Sequence, residues 1–440
     1  MSIIKPLAHS ADLIRMLFTV AIDDVRHQRS FLRVFDKSWA RWRKRGYERM
    51  FFKLADEYIQ TGAAPLCTNT RQTLQSKRVL FIDAVIPSAS SDAGGYAAIE
   101  EIKLFQRLGF EIDFLALNRS TDEAARRSAL VDLDAQVLDY EESPLDIVRR
   151  NPGVYRYVFI TRYHVADIFT DSIRWWSPQS KIILNLADLH FLRENRLAGD
   201  DPLLLAQALE TRERELGVIS RVDLTLSYSQ VELALLQQEG IDSHKLGLCP
   251  WVTTAAPAPP PGFTERSGIA FLGGFKHQPN IEGVEWFAAQ VLPLLRQQLP
   301  DCTFYVYGSH AQQSLHTMQD IPGLVIKGWV EDIAEAYNHH RVFVAPLQSG
   351  AGVKGKVIGA LAYGVPCVLS SLAAEGIPVA DGKEALLAET PAEWVKQIVA
   401  LYHNEVHWQD ISESGKQLAS NEYSPSNGLA LIKKNLKKIK

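Results

Sequence analysis

Residues 345–377 read APLQSGAGVKGKVIGALAYGVPCVLSSLAAEGI, a stretch that joins a glycine-rich turn to an apolar helix and an apolar strand. Gly350, Gly352 and Gly355 let the backbone turn and come close to a ligand, and a helical pattern starts directly after them at Val357, Ile358, Leu361 and Ala362. Unpaired N–H groups therefore point out of a helix start, where aligned peptide dipoles place partial positive charge. Lys354 and Lys356 add two full charges at the same spot, so the expected ligand carries phosphate. The helix is expected to close at Tyr363-Gly364, with Gly364 in the left-handed conformation, and Val365 to Leu369 reads as a short buried strand.

Working outward, the same alternation of apolar strand, polar loop and helix fills most of the chain. On the near side lie strands at Ile269–Leu272, Cys302–Tyr307, Leu324–Ile326 and Val342–Val344, with a helix expected over Val284–Leu295. Their loops at Gly273-Gly274, Gly308-Ser309, Lys327-Gly328-Trp329 and Ala345 to Gly355 fall at the carboxyl ends of parallel strands, where open α/β sheets bind ligands. Residues 255–263, AAPAPPPGF, form a proline-rich connector that cannot donate to a sheet. Before it comes a second alternating unit, with strands at Arg78–Asp83, Ile112–Leu117, Tyr157–Ile160, Lys181–Leu184 and Leu224–Ser227. The expected division is a helical basic extension over 1–77, a Rossmann-like domain over 78–254, the connector, and a second Rossmann-like domain over 264–440 whose last helix crosses back.

A chain of 440 residues exceeds a single core, which agrees with two doubly wound domains. Its formal net charge of -4 argues against a chain-wide nucleic-acid footprint. Cys67, Cys249, Cys302 and Cys367 are scattered, with no CxxC pair and no histidine at metal-ligand spacing, so neither a disulfide framework nor a structural metal is expected. The start MSIIKPLAHSADLIRML lacks a signal-peptide pattern, and the apolar run Met16 to Ile22 is far short of the roughly 20 residues that span a bilayer. A cytoplasmic location is expected. Residues 1–60 hold 12 Lys/Arg against 7 Asp/Glu, with Trp39, Trp42, Tyr47, Phe51 and Phe52 among the basic residues. With the tail Lys433 to Lys440, this arm suits either peripheral contact with the anionic inner face of a membrane or packing on the rest of the chain.

The order and spacing of these motifs resemble the GT-B fold, and specifically the large group 1 glycosyltransferase family. The resemblance covers residues 78 to about 435. It is carried by Phe271-Leu272-Gly273-Gly274 with His277-Gln278-Pro279-Asn280, YVYGS at 305–309, KGWV at 327–330, GAGVKGK at 350–356, ALAYGVPCV at 360–368 and Ala374-Glu375-Gly376-Ile377. FIDAVIPSASSDAGGY at 81–96 resembles the family's first strand and glycine loop, and LADLHFLRENR at 186–196 resembles a stretch found in members that build bacterial surface polysaccharides. The resemblance implies two domains facing across a cleft, a nucleotide-sugar donor held by the second, and a glycan or lipid-linked acceptor entering from the first. Metal is not usually needed in this fold; helix dipole and lysines carry the charge instead.

The implied donor-side residues are Gly274, Lys276, Asn280, Trp329, Val330, Gly350, Gly352, Val353, Lys354, Glu375 and Gly376. Lys354 and the loop N–H groups are assigned to the diphosphate, Lys276 to its far side, Trp329 and Val330 to the base, and Glu375 to ribose or sugar hydroxyls. Asp188 and His190 sit two apart after a strand, so they share a face if the extended path persists, and an imidazole or carboxylate there can orient or deprotonate a hydroxyl. Asp92 is a second candidate base, and Gly94, Gly95 and Arg193 complete the acceptor side. Many family members carry two glutamates separated by seven residues; the matching positions here are Ala351 and Gly359. That departure keeps a second reading open, a catalytically inactive GT-B module that binds glycan or positions a partner.

Overall fold

The computed structural model describes residues 75–89, 93–120, 122–253 and 260–439. The expected helical extension lies almost wholly outside these residues, as do Asp92, part of the proline-rich connector and Lys440.

Strand β1 (Arg78–Asp83) is buried from Val79 onward. Val79 and Phe81 join one apolar cluster and Leu80 and Ile82 another, so this strand has packed layers on both faces, as a central parallel strand requires. Six more strands pair with it: β2 (Glu111–Ala116), β3 (Ala135–Val137), β4 (Tyr157–Thr161), β5 (Lys181–Asn185), β6 (Leu224–Ser227) and β7 (Leu246–Leu248). Their order is β3-β2-β1-β4-β5-β6-β7 and all pairings are parallel. Register sets Phe81 opposite Phe114 and Phe159, and the Phe81 and Phe159 rings stack at 4.7 Å while Phe105 of the helix Ala93–Arg107 meets both edge-on.

The second sheet contains β8 (Ile269–Leu272), β9 (Phe304–Tyr307), β10 (Leu324–Gly328), β11 (Val342–Ala345), β12 (Cys367–Leu369) and β13 (Leu386–Leu387). It runs β10-β9-β8-β11-β12-β13, again parallel throughout. In each sheet the strand order reverses once, between β1 and β4 and between β8 and β11, and the crevice at such a reversal is where ligands bind.

Two local differences from the sequence reading have physical causes. The helix expected over Val284–Leu295 is the helix Gln278–Trp286, a π turn Phe287–Val291 and the helix Leu292–Gln298. Pro293 lacks an N–H and its ring would crowd the carbonyl four residues back, and the wider turn accommodates it while Phe287, Val291 and Leu295 stay fully buried. At the far end, the helix Pro425–Lys437 leaves the second sheet and packs on the first domain. Asn435 Nδ2 donates to Leu248 O at 2.8 Å, and Gly428 lies against Val252 and Leu104, where a side chain would not fit. Among the described residues no helix is long and apolar enough to cross a membrane.

Candidate active site

The glycine turn after β11 takes the backbone that only glycine adopts readily, with φ of 118° at Gly350 and 72° at Gly352. The helix Gly355–Ala362 follows, closing with Gly364 at φ 61°. The N–H groups of residues 350–354 have no hydrogen-bond partner among the described residues, and those of Gly355 and Lys356 belong to the unpaired first turn. Close approach by the first domain explains two of the glycines. A Cβ on Gly355 would lie inside the Trp251 indole, and one on Gly352 would stand 3.1 Å from Asp188 Cβ.

The two lysines of the turn part company. Lys354 Nζ donates to Ala351 O at 3.0 Å and to Gly352 O, inside the cradle, and burial pushes it down to about 8 against the opposing pull of Glu375, Glu232 and Asp188. Lys356 instead turns beneath the cradle, with Nζ 4.3 Å from the Phe271 ring centre and 2.5 Å from Asn280 Oδ1. Burial first, and the neighbouring Lys354 charge second, push Lys356 down to about 7. The expectation of two full charges at one spot is therefore corrected to one ammonium in the cradle and one supporting it. Asn280 is likewise a support: its Nδ2 donates to Gly274 O at 2.7 Å, so both ends of its amide hold loops together.

Glu375 is bound across the cleft. Arg196, on the helix His190–Ala198 of the first domain, grips its carboxylate with two bonds of 2.8 and 2.7 Å and donates to Gly350 O at 2.8 Å. Gly376, at φ 80°, abuts Ser229 of the first domain and Val353 of the turn. One side chain thus ties the two motifs of the second domain to the first. The sequence reading missed Arg196, although it stands one helical turn after Arg193 in the same REN-R run.

The remaining donor-side candidates are spread along the crevice. Lys276 is exposed on the loop after β8, with no partner among the described residues. Gly274 faces Ser309, with Oγ 3.6 Å from where a Cβ would be. Trp329 is 56% exposed at the end of β10, which excludes a core role, while Val330 is half-buried against the core. Gly359, the position of the missing second glutamate, packs on Tyr337: a Cβ there would lie 2.6 Å from Tyr337 Oη, which donates to Lys356 O at 2.9 Å. A glutamate at this position would have to displace a fully buried tyrosine.

On the first domain the extended path after β5 does not persist, so Asp188 and His190 do not share a face as strand neighbours. Asn185 Oδ1 accepts from Ala187 N at 3.0 Å, Ala187 takes a left-handed φ of 63°, and His190 opens a helix. The turn nevertheless brings them together, with His190 Nδ1 3.2 Å from Asp188 O and 3.6 Å from Asp188 Oδ1. Arg193 pairs with the other Asp188 oxygen. Burial lowers the His190 imidazole from its ordinary value, which leaves it neutral and basic near pH 7. The turn is held by Glu215 and Glu232, both fully buried, which no local pattern in the sequence singles out.

Next to this turn, the strand ends carry further polar side chains. Arg162, after β4, pairs with Asp83 at the end of β1. Glu101 accepts from Asn185 Nδ2 at 2.7 Å and Tyr228 Oη at 2.5 Å, and burial pushes it up to about 7. Gly94 and Gly95 open the helix Ala93–Arg107, and Gly95 is pressed by the Ser88 carbonyl so that no side chain fits. Asp92 lies outside the described residues. Among the described residues no group of three or more His, Cys, Asp or Glu side chains is placed to hold a metal ion.

Comparison with known proteins places this geometry. Residues 266–404 match the family model described as glycosyl transferases group 1. A curated relative, an uncharacterized 44.6 kDa protein in the cps region of Klebsiella pneumoniae, is 20% identical over 193 residues, 41% of this chain and 49% of that protein. The match thus spans about half the length of that relative. Among solved structures, HepE of Anabaena in complex with UDP and glucose superposes with a TM-score of 0.60 at 12% identity, over 82% of this chain and 99% of that one. TarM of S. aureus gives 0.65 at 10% identity over 83% and 99%. The pneumococcal O-GlcNAc transferase GtfA in complex with UDP and GlcNAc gives 0.61 at 9% identity over 82% and 99%. At these identities the likeness shows the fold: two parallel α/β domains of GT-B type.

Proposed function

We propose that this protein, whose residues 266–404 match the family model of glycosyl transferases group 1, transfers a sugar from a nucleotide-sugar donor to a glycan or lipid-linked acceptor in building a surface polysaccharide. The observation that carries the reading is the cradle itself. Unpaired N–H groups at Gly350 to Lys356 and the Lys354 ammonium converge at one end of a helix, and Asp188 of the opposite domain, with His190 beside it, meets the turn at Gly352. HepE and GtfA were solved in complex with UDP and glucose or GlcNAc, which makes UDP-sugars the first donors to try. The cps-region relative supports a surface-polysaccharide acceptor.

In this reading the cradle binds the diphosphate and stabilises the charge that grows on it as the sugar–phosphate bond breaks. Lys276 closes the outer side, and Trp329 and Val330 flank the base. Glu375 and Gly376, fixed by Arg196, border the ribose or sugar, and Val353 shapes the turn. His190, with Asp188 beside it, orients the acceptor hydroxyl or takes its proton, while Arg193 holds Asp188 and the Gly94-Gly95 turn, with Asp92, borders the acceptor. The reading requires no metal, because helix dipole and Lys354 supply the positive charge. It places the protein in the cytoplasm, at the inner membrane face where a lipid-linked acceptor waits.

One observation favours the second reading, a non-catalytic module: Gly359 is filled by Tyr337 where many relatives carry a glutamate. Release of UDP from a panel of UDP-sugars, followed with membrane-extracted acceptor from the source cell, separates the two. Acceptor-dependent release lost in Lys354→Ala supports the transferase. Nucleotide binding without transfer to any acceptor would support the module.

A further inference from the structure

The first turn of the helix His190–Ala198 has N–H groups without acceptors in its own helix. Two glutamates from other helices supply them. Glu232, of the helix Gln230–Gln238, takes the Leu189 N–H at 3.1 Å. Glu215, of the helix Pro202–Arg221, takes the His190 N–H at 3.3 Å on one oxygen and the Phe191 N–H at 3.1 Å on the other. Both are 0% exposed, and neither forms an ion pair with Lys or Arg among the described residues.

Burying two acidic groups without a cation is costly, and a serine or asparagine cap would satisfy such N–H groups more cheaply. Glu215 does something a cap does not. Its Oε1 lies 3.7 Å from His190 Nδ1, while Asp188 O and Asp188 Oδ1 lie at 3.2 and 3.6 Å from the same nitrogen. A carbonyl oxygen only accepts, so a ring nitrogen bonded to one and surrounded by three oxygens carries the proton. Nε2, with no hydrogen-bond partner among the described residues, is left as the basic nitrogen.

We propose that Glu215 is a positioning residue for His190: it pins the first turn of the helix and completes an oxygen cage around Nδ1, holding the imidazole in the Nδ1–H tautomer with Nε2 free for the acceptor hydroxyl. The inference rests on the reading of His190 as an acceptor-side group. The other charged or titratable groups around this histidine are Arg162, Tyr163 and His164 at the start of the helix Tyr163–Trp176, Arg193 one turn on, and Arg214 and Glu232 from the flanking helices. None of them offers a second acceptor to the ring in the structure.

The test is 15N side-chain NMR of histidine-labelled full-length protein, with His190→Ala used to assign the His190 signals. The wild type is expected to show the Nδ1–H tautomer. The comparison is read above pH 8, where the Glu215 carboxyl, pushed up to about 8 by burial, is ionised; in Glu215→Gln one acceptor then becomes an N–H2 donor aimed at the turn, so the Nε2–H form should grow to the major population. Glu215→Asp, which withdraws the carboxyl by one methylene and keeps its chemistry, should give a mixture and serves if the glutamine variant does not fold. Glu232→Gln, which touches only the Leu189 end of the turn, should leave the tautomer unchanged. A wild type in the Nε2–H form, or Glu215 variants that keep Nδ1–H, would overturn the proposal. Transfer kinetics read the functional half separately: kcat should fall about 100-fold in Glu215→Gln, the lower end expected for general acid–base loss, with donor KM unchanged. Absence of transfer by the wild type would count against the transferase reading while the tautomer result still decides the role of Glu215.

Discussion

At the residue scale, small side chains and buried charges shape the site. Gly355→Ala drives a methyl group into the Trp251 indole, so the two domains must separate or the helix must shift. We expect this variant to lose nucleotide binding and to melt at lower temperature, both measurable on the purified protein. Arg266 is a second such point: although 1% exposed, it donates to four carbonyls, Pro261 O at 2.8 Å, Tyr337 O at 2.7 Å, His340 O at 3.3 Å and Tyr363 O at 2.9 Å. It thereby caps the end of the cradle helix and fastens the connector to the second domain. Arg266→Ala should cost about 3 kcal/mol in denaturant unfolding, the scale for losing charge-assisted bonds to buried acceptors. Lys354 sets the pH response of binding. Its folded value is lowered to about 8, and a diphosphate favours the protonated form, so nucleotide affinity should fall about tenfold between pH 7 and pH 9. A flat profile over that range would remove Lys354 from the diphosphate site.

Residue identities were legible where chemistry and local backbone coincide. Gly350, Gly352 and Lys354 follow from a glycine turn before a helical pattern, and the structure gives the glycines the expected positive φ. Lys356 was misplaced because i and i+2 on a helix start point in different directions, a distinction that composition does not carry. Arg196, Glu215 and Glu232 were missed because their partners lie 179, 25 and 43 positions away.

At the element scale, strands of four or more residues announced themselves as apolar runs, whereas β3, β7 and β13 are edge or near-edge strands of two or three residues and leave no periodic signal. The turn after β5 was read as extended because nothing local marks Ala187 as left-handed; the Asn185 side chain imposes it. The acids that clamp this turn give a pH prediction with a definite sign. Burial raises Glu232 to about 7 and Glu215 to about 8, so the folded state holds protons that the unfolded chain releases above its ordinary value near 4.5. Their stabilising share is complete below that value and is lost as pH rises through the folded values. The stability of wild type relative to Glu232→Gln should therefore decline from pH 5 to pH 7, a comparison in which the histidines cancel. A relative stability that rises over this window would contradict the assignment.

At the scale of the whole molecule, two switch-point crevices face each other, and named side chains and glycines of both domains meet between them. Arg196–Glu375, Gly352 against Asp188, Gly376 against Ser229 and Trp251 against Gly355 form the central seam, while the helix Pro425–Lys437 returns to the first domain at its back. Glu375→Gln should loosen the seam without disturbing either core, visible as a larger radius of gyration in solution scattering that closes again with nucleotide. An unchanged radius in the variant would show that the ion pair does not hold the cleft shut. The basic termini give a separate prediction: anionic liposomes should carry the full chain in flotation at low salt and release it at high salt. The two-domain plan was legible because each half repeats the alternation of strand and helix. The seam was not, since a contact between domains leaves no period in either one.

The most direct test of the central claim is calorimetric titration of a panel of nucleoside diphosphates into wild type and Lys354→Ala. The cradle predicts that one nucleotide, UDP first among those to try, binds the wild type at one site per chain and that the variant weakens it by at least about tenfold, the loss expected on removing one charge-assisted contact. Failure of every nucleotide to bind the wild type, or equal binding by both proteins, would contradict the claim that the turn at 350–356 is a diphosphate site.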